Sequence, residues 1–176
     1  QRVLAGDKVS GALVFEFFSP GMPAILQQAG CEYAMFDMEH SSLDFETLKW
    51  MVACCRGLSI RPMARIPTSG YTWVARALDA GAEGIMVPMV ESAEQARQLV
   101  EAAHYPPTGR RGAAFGGAHD HYALGPVTDK IKTANQRNLV IAQIESERGL
   151  DDVEAIAAVD GVDVLWVGHF DLSNFL

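Results

Sequence analysis

The sequence predicts an α/β fold, a parallel-stranded (β/α)8 TIM barrel, from two features. Six short runs are apolar almost throughout instead of alternating, as strands buried on both faces are. Amphipathic helical stretches separate them, at a strand-to-strand spacing of about 20–30 residues with one longer excursion from Glu91 to Asn138. An open doubly wound sheet fits the same pattern, but no Gly-x-Gly-x-x-Gly follows the first strand.

The predicted strands are Ala12–Phe17, Tyr33–Asp37, Arg61–Ile66, Gly84–Val87, Leu139–Ile144 and Val162–Val167. The first helix is expected over Pro20–Gln28, after Ser19 as N-cap. Asp44–Cys55 carries Phe45, Leu48, Met51 and Val52 at helical spacing. Tyr71–Ala80 ends before Gly81, and Ser92–Ala103 opens on a Ser-x-x-Gln capping pattern. Asp129–Asn138 and Glu147–Val159 complete the helices. Gly109–Gly125, rich in Gly, Ala and His, reads as a long functional loop or a partly ordered lid. An eight-unit barrel needs about 250 residues. The expectation is therefore one barrel domain over 1–176, with about six β/α units present and the C-terminal units missing. The chain opens on Gln1, so an earlier start is expected as well.

Composition narrows the function classes. Of 176 residues, 49% are hydrophobic and 20% charged, an ordinary globular balance. A net charge of −8 repels phosphate backbones and anionic lipids, so neither nucleic acid nor membrane is an expected partner. Three cysteines, Cys31, Cys54 and Cys55, form no CxxC and no even set. That argues against a disulfide framework or zinc site and fits a reducing cytoplasm. No apolar run approaches the roughly 20 residues of a membrane span.

Chemistry is expected where strands end, because parallel α/β folds bind ligands at that rim. The second strand ends in Phe36-Asp-Met-Glu-His40, the third carries Arg65, the fifth ends Gln143-Ile-Glu145, and the sixth Gly168-His-Phe-Asp171. Glu145 and Asp171, on neighbouring strand ends, would repel unless a divalent cation joined them, and two carboxylates with substrate and water oxygens suit Mg²⁺ or Mn²⁺. Helix capping is the alternative for each. His40 could act as a base near neutral pH or be a solvated loop histidine. Arg65 inside an apolar strand needs an anion, either a ligand oxyanion or a rim acid. Asp79 stands unfavourably at a helix C-terminus, which invites a partner unless solvent suffices. His119 and His121, in His-Asp-His, are a weak metal signal.

Taken together the motifs resemble the HpcH/HpaI aldolases, the class II pyruvate aldolases typified by 4-hydroxy-2-oxoheptanedioate and 2-dehydro-3-deoxyglucarate aldolases. Phe36-Asp-Met-Glu-His40, Ala64-Arg-Ile-Pro67, Leu78-Asp-Ala-Gly81 and Met86-Val-Pro-Met-Val-Glu91 match in order. Tyr105-Pro-Pro-Thr-Gly-Arg-Arg-Gly112, Gln143-Ile-Glu145 and Gly168-x-x-Asp-Leu-Ser173 continue the series. The resemblance implies Glu145 and Asp171 as ligands of Mg²⁺, Mn²⁺ or Co²⁺. It implies His40 as catalytic base, Asp79 as the acid raising that histidine's basicity, and Arg65 as the group steadying the enolate. Gln143 and the backbone N–H groups of Phe170 and Asp171 would hold the 2-oxo acid. It also implies a homo-oligomer, a hexamer or trimer of dimers, with small-molecule 2-oxo acid and aldehyde as partners.

The sequence departs from the family pattern at His169 and Phe170, where Pro and Ala are usual, so substrate identity is open while the reaction class is not. The expected reaction cleaves or forms 4-hydroxy-2-oxo acids through a pyruvate or hydroxypyruvate enolate. No lysine falls at a predicted strand end, which disfavours a Schiff base. Two alternatives are an acyl-CoA lyase of the citrate lyase β-subunit/malyl-CoA type, for which no basic cluster is evident, and a non-catalytic metabolite-binding barrel.

Overall fold

The computed structural model describes residues 5–176. Strands β1 (Gly11–Val14), β2 (Tyr33–Asp37), β3 (Arg61–Arg65), β4 (Gly84–Val87), β5 (Leu139–Ile144) and β6 (Val164–Val167) form one sheet. All pairings are parallel, and the order is strictly sequential from β1 to β6. A doubly wound sheet would reverse its order at a switch point; this one does not. Between the strands run α1 (Met22–Gln28), α2 (Phe45–Cys54), α3 (Tyr71–Asp79), α4 (Ala93–Ala103) and α5 (Val127–Arg137). Two short helices, α6 (Glu147–Asp151) and α7 (Val153–Ala157), precede β6, and α8 (His169–Phe175) follows it.

The two faces of the sheet have different partners. Ala34, Phe36, Ala64, Ile85, Val87, Val140 and Ala142 face the helices and share one core with Leu48, Val52, Val74, Leu78, Leu99 and Ile156. On the opposite face Met35, Met63, Met86 and Ile141 form a separate cluster with Tyr33, Leu139 and Val164. Helices on one face and side-chain layers on the other are barrel packing, since an open α/β sheet is covered on both sides. The inward side chains of the two outer strands, Leu13 and Trp166, are each 43% exposed.

Several boundaries differ from expectation for identifiable reasons. β1 leaves the ladder after Val14, and Phe15 and Phe17 are exposed. α1 begins at Met22 because Gly21 caps it and Pro23 takes a first-turn position where its missing N–H costs nothing. Asp44 and Ser92 cap α2 and α4 by accepting the N–H groups of Thr47 (2.8 Å) and Gln95 (3.2 Å). The helix expected over Glu147–Val159 breaks at Asp152, whose carboxylate accepts the Ala93 N–H at 2.8 Å and so ties the break to the start of α4. Beyond β6, Asp171 lies within α8.

The Gly109–Gly125 segment is anchored rather than loose. It holds one 3-10 turn, Ala118–Asp120, clamped by Lys130 on Asp120 at 2.7 Å. Arg56, just beyond α2, donates to the Ala118 carbonyl at 3.3 Å. The segment therefore packs where α2 and α3 end, which is the N-terminal side of the strands. Gly81, at φ +105° beside this packing, has no space for a side chain: an added Cβ would lie 2.9 Å from Val52. Among the described residues no helix is long and apolar enough to cross a membrane. The three cysteines are free.

Candidate active site

The inward face carries its charge in its last layer. Asp37 and Arg65 are register partners, each two residues beyond a methionine of the inner cluster. Period-2 alternation points them inward together. The Arg65 guanidinium grips Asp37 bidentately, Nε to Oδ1 at 2.9 Å and Nη2 to Oδ2 at 2.6 Å. Asp37 is fully buried. Its Oδ1 also accepts the backbone N–H groups of Glu39 (2.9 Å) and His40 (3.4 Å), so one carboxylate fixes both the arginine and the turn after β2.

Burial pushes the Asp37 carboxyl up, but the Arg65 guanidinium and these N–H donors outweigh it and hold the group below its ordinary range. A folded value below the unfolded one gives stability that is present above the unfolded carboxylate value of about 3.9 and is lost as pH falls through the folded value. The melting temperature is expected to drop on acidification from about pH 5 to about pH 3, and Asp37→Asn is expected to flatten that drop. Thermal melts of both proteins across that range measure it; parallel curves would count against an Asp37 contribution.

Glu39 sits between the other groups. Its Oε2 is 3.3 Å from Arg65 Nε and 3.7 Å from His40 Nε2. That oxygen is buried and, among the described residues, has no hydrogen bond; desolvation raises the carboxyl, with Arg65 and His40 opposing and Glu145 and Asp37 adding to the rise. The His40 side chain is 61% exposed and projects from the rim.

Across the sheet, Glu145 follows β5 and is buried. Its Oε1 accepts the Met89 N–H at 2.8 Å, and Gln143 Nε2 donates to its Oε2. Met89 adopts φ +52°, the left-handed region that a non-glycine residue enters at a cost, and it thereby aims its N–H at Glu145. Gln143 Oε1 is buried and, among the described residues, has no hydrogen-bond partner. Ile144 and Val167 are register partners, so Glu145 stands level with Gly168, and Asp171 comes three residues later in the first turn of α8. Gly168 has no room for a side chain, because Glu145 and Gln143 pack against its bare backbone: an added Cβ would sit 2.3 Å from Glu145 Oε2 and 2.9 Å from Gln143 Nε2. Phe170 is exposed and Asp171 half-buried.

Arg65, Glu39 and Glu145 thus lie within electrostatic range of one another at one rim. Among the described residues no three His, Cys, Asp or Glu side chains converge as a complete metal cage. The rim instead offers the buried Glu145 carboxylate after β5, packed against the backbone of Gly168, and the half-buried Asp171 in the first turn of α8. That donor set suits a hard, octahedral cation completed by substrate and water oxygens.

Asp79 is elsewhere. It closes α3, five residues before β4 begins, and so lies at the N-terminal side of the strands, the far end from His40. Its carboxylate pairs with Arg111 at 2.5 Å, and the Arg111 guanidinium stacks 4.7 Å from the Tyr105 ring. His119 is buried in the same base region, with His121 beside it at φ +55°.

Sequence reasoning did not single out Asp37, Glu39, Met89 or Gly168. Asp37 was legible: it ends an apolar strand on the same parity as Met35, as Arg65 does with Met63. Met89 gave no signal, because nothing in Val87-Pro-Met-Val90 marks a left-handed residue.

The HpcH/HpaI aldolase/citrate lyase family model matches residues 14–176. A hydroxypyruvate/pyruvate aldolase of Roseovarius nubinhibens is 38% identical over 170 residues, covering 96% of this chain and 65% of the relative. A 5-keto-4-deoxy-D-glucarate aldolase of Klebsiella pneumoniae is 38% identical over the whole chain and 68% of its own length. The crystal structure of an HpcH/HpaI aldolase from Desulfitobacterium hafniense superposes with a TM-score of 0.93 at 33% identity, over 98% of this chain and 66% of the other. The chain spans about two thirds of the length of these relatives.

Proposed function

The chain belongs to the HpcH/HpaI aldolase/citrate lyase family, and from that premise we propose a divalent-metal-dependent aldolase that cleaves or forms 4-hydroxy-2-oxo acids, yielding pyruvate or hydroxypyruvate and an aldehyde. The observation that carries the reading is the buried Glu145 carboxylate abutting the bare backbone of Gly168, on the rim it shares with Arg65. The six sequential units are read as part of an eight-unit barrel, in keeping with the longer relatives.

Glu145 and Asp171 would hold Mg²⁺, Mn²⁺ or Co²⁺, which when bound supplies Lewis acidity toward the keto acid. The remaining work falls to the chain itself. Arg65, immobilised by Asp37, offers its fork to the oxygen on which negative charge develops, a donor that needs no reorganisation during reaction. Gln143 and the backbone N–H groups of Phe170 and Asp171 orient the 2-oxo acid. In cleavage His40 accepts the proton of the 4-hydroxyl, and in condensation it returns a proton to the aldehyde oxygen.

Asp79 can raise the basicity of His40 only from another copy of the chain, because within one copy the two lie at opposite ends of the strands. On that reading the active assembly is a homo-oligomer, a hexamer or trimer of dimers. Mixing His40→Ala with Asp79→Ala chains during refolding is expected to restore activity. About a quarter of the sites are intact under random mixing of equal amounts. No recovery in correctly assembled mixtures would remove the contact between copies.

The function is tested by a retro-aldol screen of 4-hydroxy-2-oxo acids with each metal, reading pyruvate and hydroxypyruvate. The family description covers citrate lyases too, so a 3-hydroxyacyl-CoA thioester forms a second arm. Release of pyruvate or hydroxypyruvate from a 4-hydroxy-2-oxo acid supports the aldolase, whereas turnover of the thioester alone replaces it.

A further inference from the structure

Arg111 is, by volume, the largest fully buried side chain among the described residues, and it lies away from the rim. Its one ion pair among those residues is with Asp79, Nη2 to Oδ1 at 2.5 Å. Its Nε and Nη1 are buried with no hydrogen-bond partner among them. The pair is lopsided: the arginine side chain is wholly out of solvent, while that of Asp79 is 41% exposed. The desolvation cost therefore falls on the cation, and the carboxylate projects outward from a fixed support.

The surroundings hold the guanidinium still. It lies 4.7 Å from the centre of the Tyr105 ring. Asn135 of α5 fixes the Tyr105 main chain, accepting its N–H at 2.8 Å and donating to its carbonyl at 3.0 Å. The next residue, Gly112, donates its N–H to the Tyr71 hydroxyl at 2.7 Å. The segment is thus tied to the first residue of α3 through Tyr71 and to the last through Asp79. A carboxylate at a helix C-terminus is opposed by the dipole and would otherwise rotate freely. With Oδ1 held by a braced cation, it reaches a contact between copies already ordered. We propose that Arg111, supported by Tyr105, is the positioning residue that presents the Asp79 carboxylate to His40 of a neighbouring copy. This rests on the reading in which Asp79 serves another copy, and it makes the base of one chain a working part of the next chain's rim. The competing role is structural, a tie between this segment and α3.

Kinetics and chain mixing on the assembled enzyme with Mg²⁺ separate the two. Arg111→Met is expected to lower kcat of retro-aldol cleavage about 10- to 100-fold with KM for the 4-hydroxy-2-oxo acid little changed, since the rim that binds it is untouched. Arg111→Lys, which can still pair with Asp79, is expected to recover most of that loss. Arg111→Met refolded with an equal amount of His40→Ala should regain activity as His40→Ala with Asp79→Ala does. One chain then keeps His40 and the other an intact Arg111–Asp79 pair. Arg111→Met refolded with Asp79→Ala should not rise above Arg111→Met alone, because neither chain supplies the pair. Melting curves and light scattering establish folding and assembly, and Arg111→Gln replaces Arg111→Met if the latter does not assemble. Unchanged kcat in the assembled variant, or recovery with Asp79→Ala, would overturn the proposal. So would failure with His40→Ala while the His40→Ala and Asp79→Ala mixture recovers. If that control mixture also stays inactive, the contact between copies is lost and the role of Arg111 with it.

Discussion

Replacing Glu145 with glutamine is expected to lower 2-oxo acid release by about three orders of magnitude while leaving the fold intact, the largest loss any single isosteric change at the rim should cause. The amide oxygen can still accept the Met89 N–H that Oε1 accepts now, at 2.8 Å. Only the charge is removed, together with one favourable acceptor for Gln143. Alanine at the same position should be equally inactive but less stable, because it leaves a hole in a buried site and strands the Met89 and Gln143 donors. Cation binding gives a readout separate from turnover. Mg²⁺ or Mn²⁺ should raise the melting temperature of the unaltered protein by mass action and should not raise that of Glu145→Gln. Near-normal turnover by Glu145→Gln, or full activity after exhaustive chelation, would remove the metal from the mechanism.

The fold was legible in the sequence because parallel strands buried on both faces leave continuous apolar runs. β2, β4 and β5 fall within the bounds that Tyr33, Gly84 and Leu139 open. Boundaries were lost where a tertiary contact decides them. Asp152 ends a helix by capping another one, and no local pattern in Glu147–Val159 encodes that bond. The rim was legible in composition but not in pairing. Arg65 inside an apolar strand demanded an anion, and the open alternatives were a ligand and a rim acid; the nearest anion in the chain is Asp37. Asp79 shows the opposite limit. Its distance from His40 follows from its place at the end of α3, since helix ends adjoin strand beginnings in a right-handed wind. A role inferred from resemblance carried no information about which end of the sheet it occupied.

Arg65→Lys is expected to be nearly as damaging as Arg65→Ala, with turnover down about 10²- to 10³-fold in each. An ammonium can neutralise Asp37, but it cannot span both carboxylate oxygens while offering further donors from one rigid plane. The existing grip uses Nε and Nη2, at 2.9 and 2.6 Å, which leaves the rest of the fork for a substrate oxyanion. Stability should separate the two variants. Arg65→Ala leaves the fully buried Asp37 without its counter-charge, a change that costs about 3–5 kcal/mol in comparable buried pairs. Lysine should recover part of that loss. Removing both charges, as Asp37→Asn with Arg65→Met, should restore much of the melting temperature, since the surviving burial cost is then that of a neutral amide. Activity should remain absent in the double variant. If lysine restored turnover together with stability, the guanidinium would be only a strut for Asp37. Stability regained without turnover assigns the fork to the reacting oxygen, because the strut and the donor then fail independently.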